Sequence, residues 1–133
     1  MAGVDRAGRS ELHYSAGEGQ VARVGEVIDA GEDVRASDRH GLTRLHFAAQ
    51  QQRADVARLL LKAGALVDAE DEHGNTPLFK AVFSSRGEGT VIGILLAAGA
   101  NPNHANRHGT SPLQLAHRVA NYDAARFFSD ISD

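Results

Sequence analysis

Seven histidines are the residues of this chain with the widest scope for chemistry. Imidazole binds transition metals and exchanges protons near neutral pH, so a regular histidine series could form a ligand set or an acid–base site. His40, His73 and His108 form such a series, because each directly precedes a glycine. Successive members should lie about 10 Å apart if they belong to packed helical units, whereas a metal–nitrogen bond measures about 2 Å. The spacing therefore predicts no shared ion, and we expect no metal site.

The other reactive side chains form no catalytic pattern. The chain has no cysteine, and none of its serines lies in the G-x-S-x-G turn that presents a hydrolase nucleophile. The acidic run 70–72 lies in a predicted turn, where we expect solvated carboxylates. Two GEG segments lack the Lys-Ser/Thr ending of a phosphate-binding loop. We expect no enzymatic activity and no cofactor, and keep a histidine-dependent metal hydrolase as the alternative from another functional class.

Composition and charge exclude several kinds of partner. The formal net charge is −3, and the arginines are scattered without interleaved aromatics, so neither nucleic acid nor a membrane is predicted. No signal-peptide core and no apolar run of about 18 residues occurs, so we expect a cytoplasmic protein. Of the 14 basic residues, only Lys62 and Lys80 are lysines. This arginine bias indicates a GC-rich bacterial gene, and the initial Met leads us to expect a complete small protein.

The elements that position these side chains follow a period of 33 to 35 residues. Three registers share it: Gly8, Gly41, Gly74 and Gly109; Gly31, Gly64 and Gly99; and Asp5, Asp38, Asp71 and Asn106. The decapeptides HGLTRLHFAA, HGNTPLFKAV and HGTSPLQLAH start at His40, His73 and His108. Such a period predicts an array of stacked units, none of which can bury its apolar face alone. The repeated residues are therefore structural, and function should lie in what varies between copies.

The third unit shows how each copy should fold. Gly74 can adopt positive φ in a turn, Thr76 can cap a helix, and proline suits the first helical position. The sequence predicts helices over Pro77–Phe83 and Thr90–Ala98, the second ending before Gly99.

The same pattern predicts an all-α fold, a helical solenoid of four helix-turn-helix units joined by β-hairpin-like loops. The other helices are expected at Leu12–Gly17 and Val21–Ala30, Arg44–Gln51 and Ala54–Lys62, and Pro112–Val119 and Asp123–Ser129. We expect one domain over residues 1–133, with units at about 5–37, 38–70, 71–105 and 106–133. The first and last units depart most from the pattern and should act as caps.

The segments GLTRLHFAA and GNTPLFKAV, with the endings LLLKAGALVDA and LLAAGANPN, resemble ankyrin repeats. The resemblance covers about residues 5–130. It implies a non-catalytic module that binds another protein. His13 and His46 match the histidine of the T-P-L-H motif, where the resemblance implies a hydrogen bond to the backbone between repeats.

The resemblance also implies a binding surface on the hairpin tips and on the inner face of the first helices. Carried over by register, it comprises Arg39, His40, Leu42, Gln50, Gln51, Glu72, His73, Asn75, Phe83, Ser84, Arg107, His108, Thr110 and Arg118. Further positions are Arg6, Ala7, Arg9, Glu18 and Glu70. Arginines and glutamates nearly cancel on this face, so the charge of the partner stays open. Leu42 and Phe83 are expected to be exposed hot spots; alternatively, Phe83 packs beneath the lengthened loop 84–89.

Small size and bacterial composition favour an immunity protein or inhibitor that occludes a toxin or enzyme, the toxin being encoded nearby. The alternative is a general adaptor or scaffold for another cellular protein. In either case we expect a monomer.

Overall fold

A computed structural model describes residues 21–31, 33–86, 88–118 and 127–128. Six helices occur in these residues: α1 (Val21–Asp29), α2 (Arg44–Gln50), α3 (Ala54–Lys62), α4 (Pro77–Phe83), α5 (Thr90–Ala97) and α6 (Pro112–Arg118). The fold is all-α, as predicted, and the described part of the chain contains no regular strand. Each of these helices falls short of the length and apolarity that crossing a membrane requires.

Threonines begin the first helices of the second and third units. Thr43 has an extended backbone, and its hydroxyl accepts a hydrogen bond from the His46 N–H, while the His46 ring accepts one from the Thr43 N–H. This reciprocal arrangement satisfies two amides that a helix start leaves open. Thr76 caps α4 by accepting from the Phe79 N–H, and Pro77 occupies the first turn. The predicted helix starts at residues 44 and 77 are confirmed.

The helices form two rows. The inner row contains α2, α4 and α6, which pack in succession, and the outer row contains α1, α3 and α5. Apolar side chains fill the space between the rows, and Leu45, Leu60, Leu78, Ile92 and Leu95 have no exposed surface. Each such side chain contributes about 1.5–3 kcal/mol when it leaves water. The core therefore runs continuously through the units, and Phe128 near the chain end is also buried.

The polar register explains how the hairpin turns are held. The Asp38 side chain accepts hydrogen bonds from the backbone N–H groups of His40 and Leu42. Asp71 and Asn106 bind the corresponding two amides of their own turns in the same way. Adjacent tips are then joined through the backbone, because Glu72 N–H donates to the His40 carbonyl at 2.8 Å. A single side-chain oxygen thus organises each turn.

Helix boundaries differ from the sequence prediction by one residue at most. The observed ends Asp29, Gln50 and Ala97 each precede the predicted end by one position, and Lys62 and Phe83 agree. The predicted end of α6, Val119, lies outside the described residues. The hairpin-like loops contain one isolated antiparallel bridge, Ser37–Thr43, among the described residues. The predicted helix Leu12–Gly17 lies outside those residues, and of the predicted helix Asp123–Ser129 only residues 127–128 are described.

Candidate functional site

The residues predicted to bind a partner lie on the inner row and on the hairpin tips. The exposed ones are Arg39, His40, Gln50, Gln51, Glu72, His73, Phe83, Arg107, His108 and Arg118. The half-buried ones are Leu42, Asn75, Ser84 and Thr110. Those of the first unit, Arg6, Ala7, Arg9 and Glu18, lie outside the described residues. All of these side chains remain predicted contacts.

One pocket is lined by five of the predicted residues of the second and third units. It measures about 630 Å³ and lies between the end of α2 and the length of α4. Its lining consists of Gln50, Gln51, Gln52, Asn75, Phe79, Lys80, Phe83, Ser84 and Arg86. No outer-row residue contributes to this lining. The volume is in the range of pockets that hold a ligand or the side chains of a partner.

An exposed aromatic ring forms one wall of this pocket. Phe83 is 71% exposed, whereas the core side chains around α4 are fully buried. Phe79 lies one turn earlier on the same face of α4 and is half-buried. The alternative in which Phe83 packs beneath the following loop is therefore wrong. Leu42 was expected to be exposed but is half-buried, so it presents less apolar surface than predicted.

The pocket carries positive charge. The Lys80 ammonium lies 3.4 Å from a carboxylate oxygen of Asp71, which is buried beneath it. The other Asp71 oxygen already accepts two backbone N–H groups, so this carboxylate is fully engaged. Arg86 is exposed and forms an ion pair with no acidic residue of the described ranges. No acidic residue lines the pocket, so the Arg86 guanidinium is its uncompensated charge.

Sequence reasoning missed Gln52, Phe79, Lys80 and Arg86. Gln52 and Arg86 have φ of 57° and 48°, and they are the non-glycine residues with positive φ in the described ranges. An L side chain in this region costs about 1–2 kcal/mol. The Gln52 amide donates to the Ala81 carbonyl at 2.8 Å and to the Ser84 hydroxyl, which fixes the two helices beside the pocket. The only sequence signal for Gln52 was its place at the end of a run of three glutamines, at a position after a helix where glycine is usual.

His46 forms the joint between the second and third units. The ring is fully buried; its Nδ1 accepts from the Thr43 N–H, and its Nε2–H donates to the Asn75 carbonyl at 2.9 Å. Burial lowers the pKa of His46, opposed by the backbone hydrogen bond to Asn75 and by the Asp71 charge. The neutral ring with its proton on Nε2 satisfies both contacts. The interrepeat hydrogen bond expected for His46 is confirmed, and His13 lies outside the described residues.

An acidic side chain lies between the histidines of two neighbouring hairpin tips. One carboxylate, that of Glu72, contacts the rings of both His40 and His73. Neighbouring tips are hydrogen-bonded through the backbone, from the Glu72 N–H to the His40 carbonyl, and the expected spacing of about 10 Å between successive units stays a prediction. His104 similarly lies 3.1 Å from Glu70. In the described part of the chain, no three acidic or histidine side chains are grouped so as to hold a metal ion.

The remaining predicted residues lie outside the pocket. Arg39 is exposed on the hairpin tip that precedes α2, and Arg107 and His108 are exposed on the tip that precedes α6. Arg118, at the end of α6, donates to the Thr110 hydroxyl at 3.2 Å. Asn75 lines the pocket, but its side chain accepts from Asn106 and its carbonyl from His46. Asn75 therefore serves the joint as well as the surface.

Comparison with known families gives one result. A family model described as ankyrin repeats, in three copies, matches residues 12–106. A search of curated proteins finds no match.

Proposed function

This chain belongs to the ankyrin repeat family, and we propose that it acts as a non-catalytic module that binds a partner protein with its hairpin tips and inner helical face. Ankyrin repeats are modules of protein–protein interaction, and the family is generally non-catalytic. The observation that carries the proposal is the pocket between α2 and α4, where the exposed Phe83 ring faces polar side chains. A large apolar side chain left this exposed beside polar groups is typical of a contact that a partner buries.

We further propose that the array has four units, one more than the family model matches. In support, α6 begins with a cap like those of the matched units: Ser111 accepts from the Gln114 N–H, and the Gln114 side chain accepts from the Ser111 N–H. This helix packs against α4 in the inner row. The first and last units are proposed to act as caps, since end units need one polar outer face.

The finer proposal is that the partner is a toxin or an enzyme, which the array occludes as an immunity protein or inhibitor would. An occluding protein needs a broad contact, of roughly 800 Å² per partner. Exposed arginines on two hairpin tips, together with the pocket, extend the proposed contact over at least three units. The alternative is an adaptor, which would bind without blocking its partner's activity. Assaying the activity of the captured partner with and without this chain separates these two roles.

The experiment is affinity capture from cells of the native organism, with four samples compared in parallel by quantitative mass spectrometry. Wild type is compared with Arg39→Ala/Phe83→Ala and with Arg58→Ala/Leu66→Ala. The second double variant is a matched control, because Arg58 on α3 and Leu66 in the following loop are also exposed but do not line the pocket. The fourth sample is resin alone. A protein retained by wild type and the control, and lost by the first variant, supports the proposal. Equal retention by both double variants contradicts it.

A further inference from the structure

The pocket between α2 and α4 combines three chemical features that together describe what it would bind. The Phe83 ring supplies apolar surface, and the Arg86 guanidinium supplies an uncompensated positive charge. The side chains of Gln50 and Gln51 make no hydrogen bond to other described residues, so their amides are open to a ligand. Amide groups can donate to and accept from the backbone of an extended peptide.

We propose that this pocket receives a short extended segment of the partner in which a carboxylate lies next to a large apolar side chain. This inference rests on the proposed function and names the chemistry of the partner. The apolar side chain would cover Phe83 and Phe79, and the carboxylate would pair with Arg86 in a forked contact. A basic segment is disfavoured, because it would meet Lys80 and Arg86 with no acidic residue in the lining.

The backbone provides an independent reason to place the contact here. Both non-glycine residues with positive φ in the described ranges, Gln52 and Arg86, line this one pocket. Glycine would adopt either conformation without steric cost. Retaining a side chain at such positions is typical of functional sites, where the strain is tolerated for what the side chain does. The Gln52 side chain donates hydrogen bonds to the Ala81 carbonyl and the Ser84 hydroxyl, whereas the Arg86 side chain forms no hydrogen bond or ion pair within the described structure.

Arg86→Gly separates binding from folding. Glycine removes the guanidinium and also relieves the backbone strain, so the variant should melt at or above the wild-type temperature. A loss of affinity in this variant therefore cannot come from loss of the fold. Arg86→Glu reverses the charge at the same position, and Arg58→Glu makes the same reversal on α3, where the side chain is exposed and distant in register from the pocket lining.

The test selects a displayed library of random dodecapeptides on the intact wild-type protein and on Arg86→Glu. Peptides enriched on wild type should carry Asp or Glu within a few residues of Leu, Ile, Phe or Trp. Their affinity, measured by fluorescence anisotropy, should fall about tenfold or more for Arg86→Gly and for Phe83→Ala, and should stay within about twofold for Arg58→Glu. Peptides enriched on Arg86→Glu should carry Lys or Arg in place of the acid.

Three results would overturn the inference: no enrichment, enriched peptides without the acidic and apolar pair, or unchanged affinity for Arg86→Gly. None of them touches the proposed function, which the capture experiment decides separately. Conversely, dodecapeptides that bind the pocket as described, together with the failure of capture to yield any protein, would contradict the proposed function and leave the chemistry of the pocket established.

Discussion

Two regions of the helix pair α2 and α4 differ in how their side chains are bonded. One is the joint, formed by Thr43, His46 and Asp71, and the other is the rim of the pocket, which includes Gln50 and Phe83. The three side chains of the joint are buried. The His46 ring bonds to the Thr43 N–H and to the Asn75 carbonyl, and the Asp71 carboxylate accepts from the Asn75 N–H. At the rim, Gln50 and Phe83 are exposed. Aspartate or asparagine, and threonine or serine, recur at the Asp71 and Thr43 positions of every unit, whereas the positions of Gln50 and Phe83 hold different residues in each copy.

This difference gives a physical meaning to repetition in the chain. A residue such as Asp71 or Thr43 recurs because it accepts hydrogen bonds from backbone N–H groups of its own turn or helix start, and every unit of the array must form that turn and that helix. A residue is free to vary when its side chain faces outward. Asn75 lies on the boundary, since it lines the pocket and also bonds to Asn106 in the next unit. The comparison can be tested by substituting each region in turn.

The largest effect is expected at the joint, from Gly74→Val. Gly74 has φ of 76°, and an added Cβ would lie 3.1 Å from the backbone nitrogen of Arg107 in the next hairpin. Backbone strain alone should cost about 1–3 kcal/mol of unfolding free energy, and displacing the neighbouring tip adds to it. Denaturant titration measures the loss. Gly99→Val is the control, because it has the same strain at φ 95° and nothing within 4 Å; equal losses, or a melting temperature within about a degree of wild type for Gly74→Val, would contradict this account of the joint.

A smaller effect is expected from acid. Burial lowers the folded-state pKa of His46 below its ordinary value of 6.5, so the unfolded chain binds the proton more readily than the folded one. The stability that the neutral ring provides is complete above about pH 6.5 and is lost as the pH falls below it, by at most about 1.4 kcal/mol per pH unit.

Unfolding free energies measured from about pH 7.5 to 5 should therefore fall more steeply for wild type than for His46→Gln. His108→Gln, which removes an exposed imidazole on a hairpin tip, is the control and should keep the wild-type slope. If His46→Gln and wild type have the same slope, the buried ring does not hold the joint in the way described.

The rim should tolerate substitution almost without loss of stability. Phe83→Ala removes a side chain that is 71% exposed, so we expect the unfolding free energy to change by less than about 0.5 kcal/mol. Val82→Ala, one residue earlier and fully buried, should cost more, because it opens a cavity in the core. A loss for Phe83→Ala as large as that for Val82→Ala would place Phe83 in the joint and erase the distinction.

Metal removal should change nothing. The tip histidines His40 and His73 share the Glu72 carboxylate, but no metal-binding group of three is present in the described residues. Treatment of untagged protein with a chelator should leave the melting temperature unchanged, since no bound ion is expected to support the fold. Stoichiometric zinc by elemental analysis would revive the metal hydrolase alternative.

The fold could be predicted from the sequence because its signals are local and repeated. Thr43 and Thr76 mark helix starts, and the glycine registers mark helix ends and turns; each is a choice that one turn of backbone enforces. The three copies removed the ambiguity that a single short apolar run would have left. This is why helix ends differed by no more than one residue.

The pocket could be predicted only in part. Register placed Gln50, Gln51 and Phe83 on one face, but it could not show that Gln52 and Arg86 adopt positive φ, a conformation for which sequence suggests glycine. The contact of Glu72 with both His40 and His73 was not predicted either. It depends on how neighbouring tips are joined by backbone hydrogen bonds, such as that from Arg107 N–H to the His73 carbonyl.

The central claim is that the inner face of the second and third units binds the partner, and titration calorimetry with the captured protein tests it most directly. Arg39→Ala/Phe83→Ala should weaken binding by several kcal/mol, at roughly 2 or more for each hot spot, while circular dichroism shows an unchanged melting transition. Arg58→Ala/Leu66→Ala should bind like wild type. If the second pair loses affinity and the first does not, the partner contacts the outer surface, and the account of the inner face is wrong.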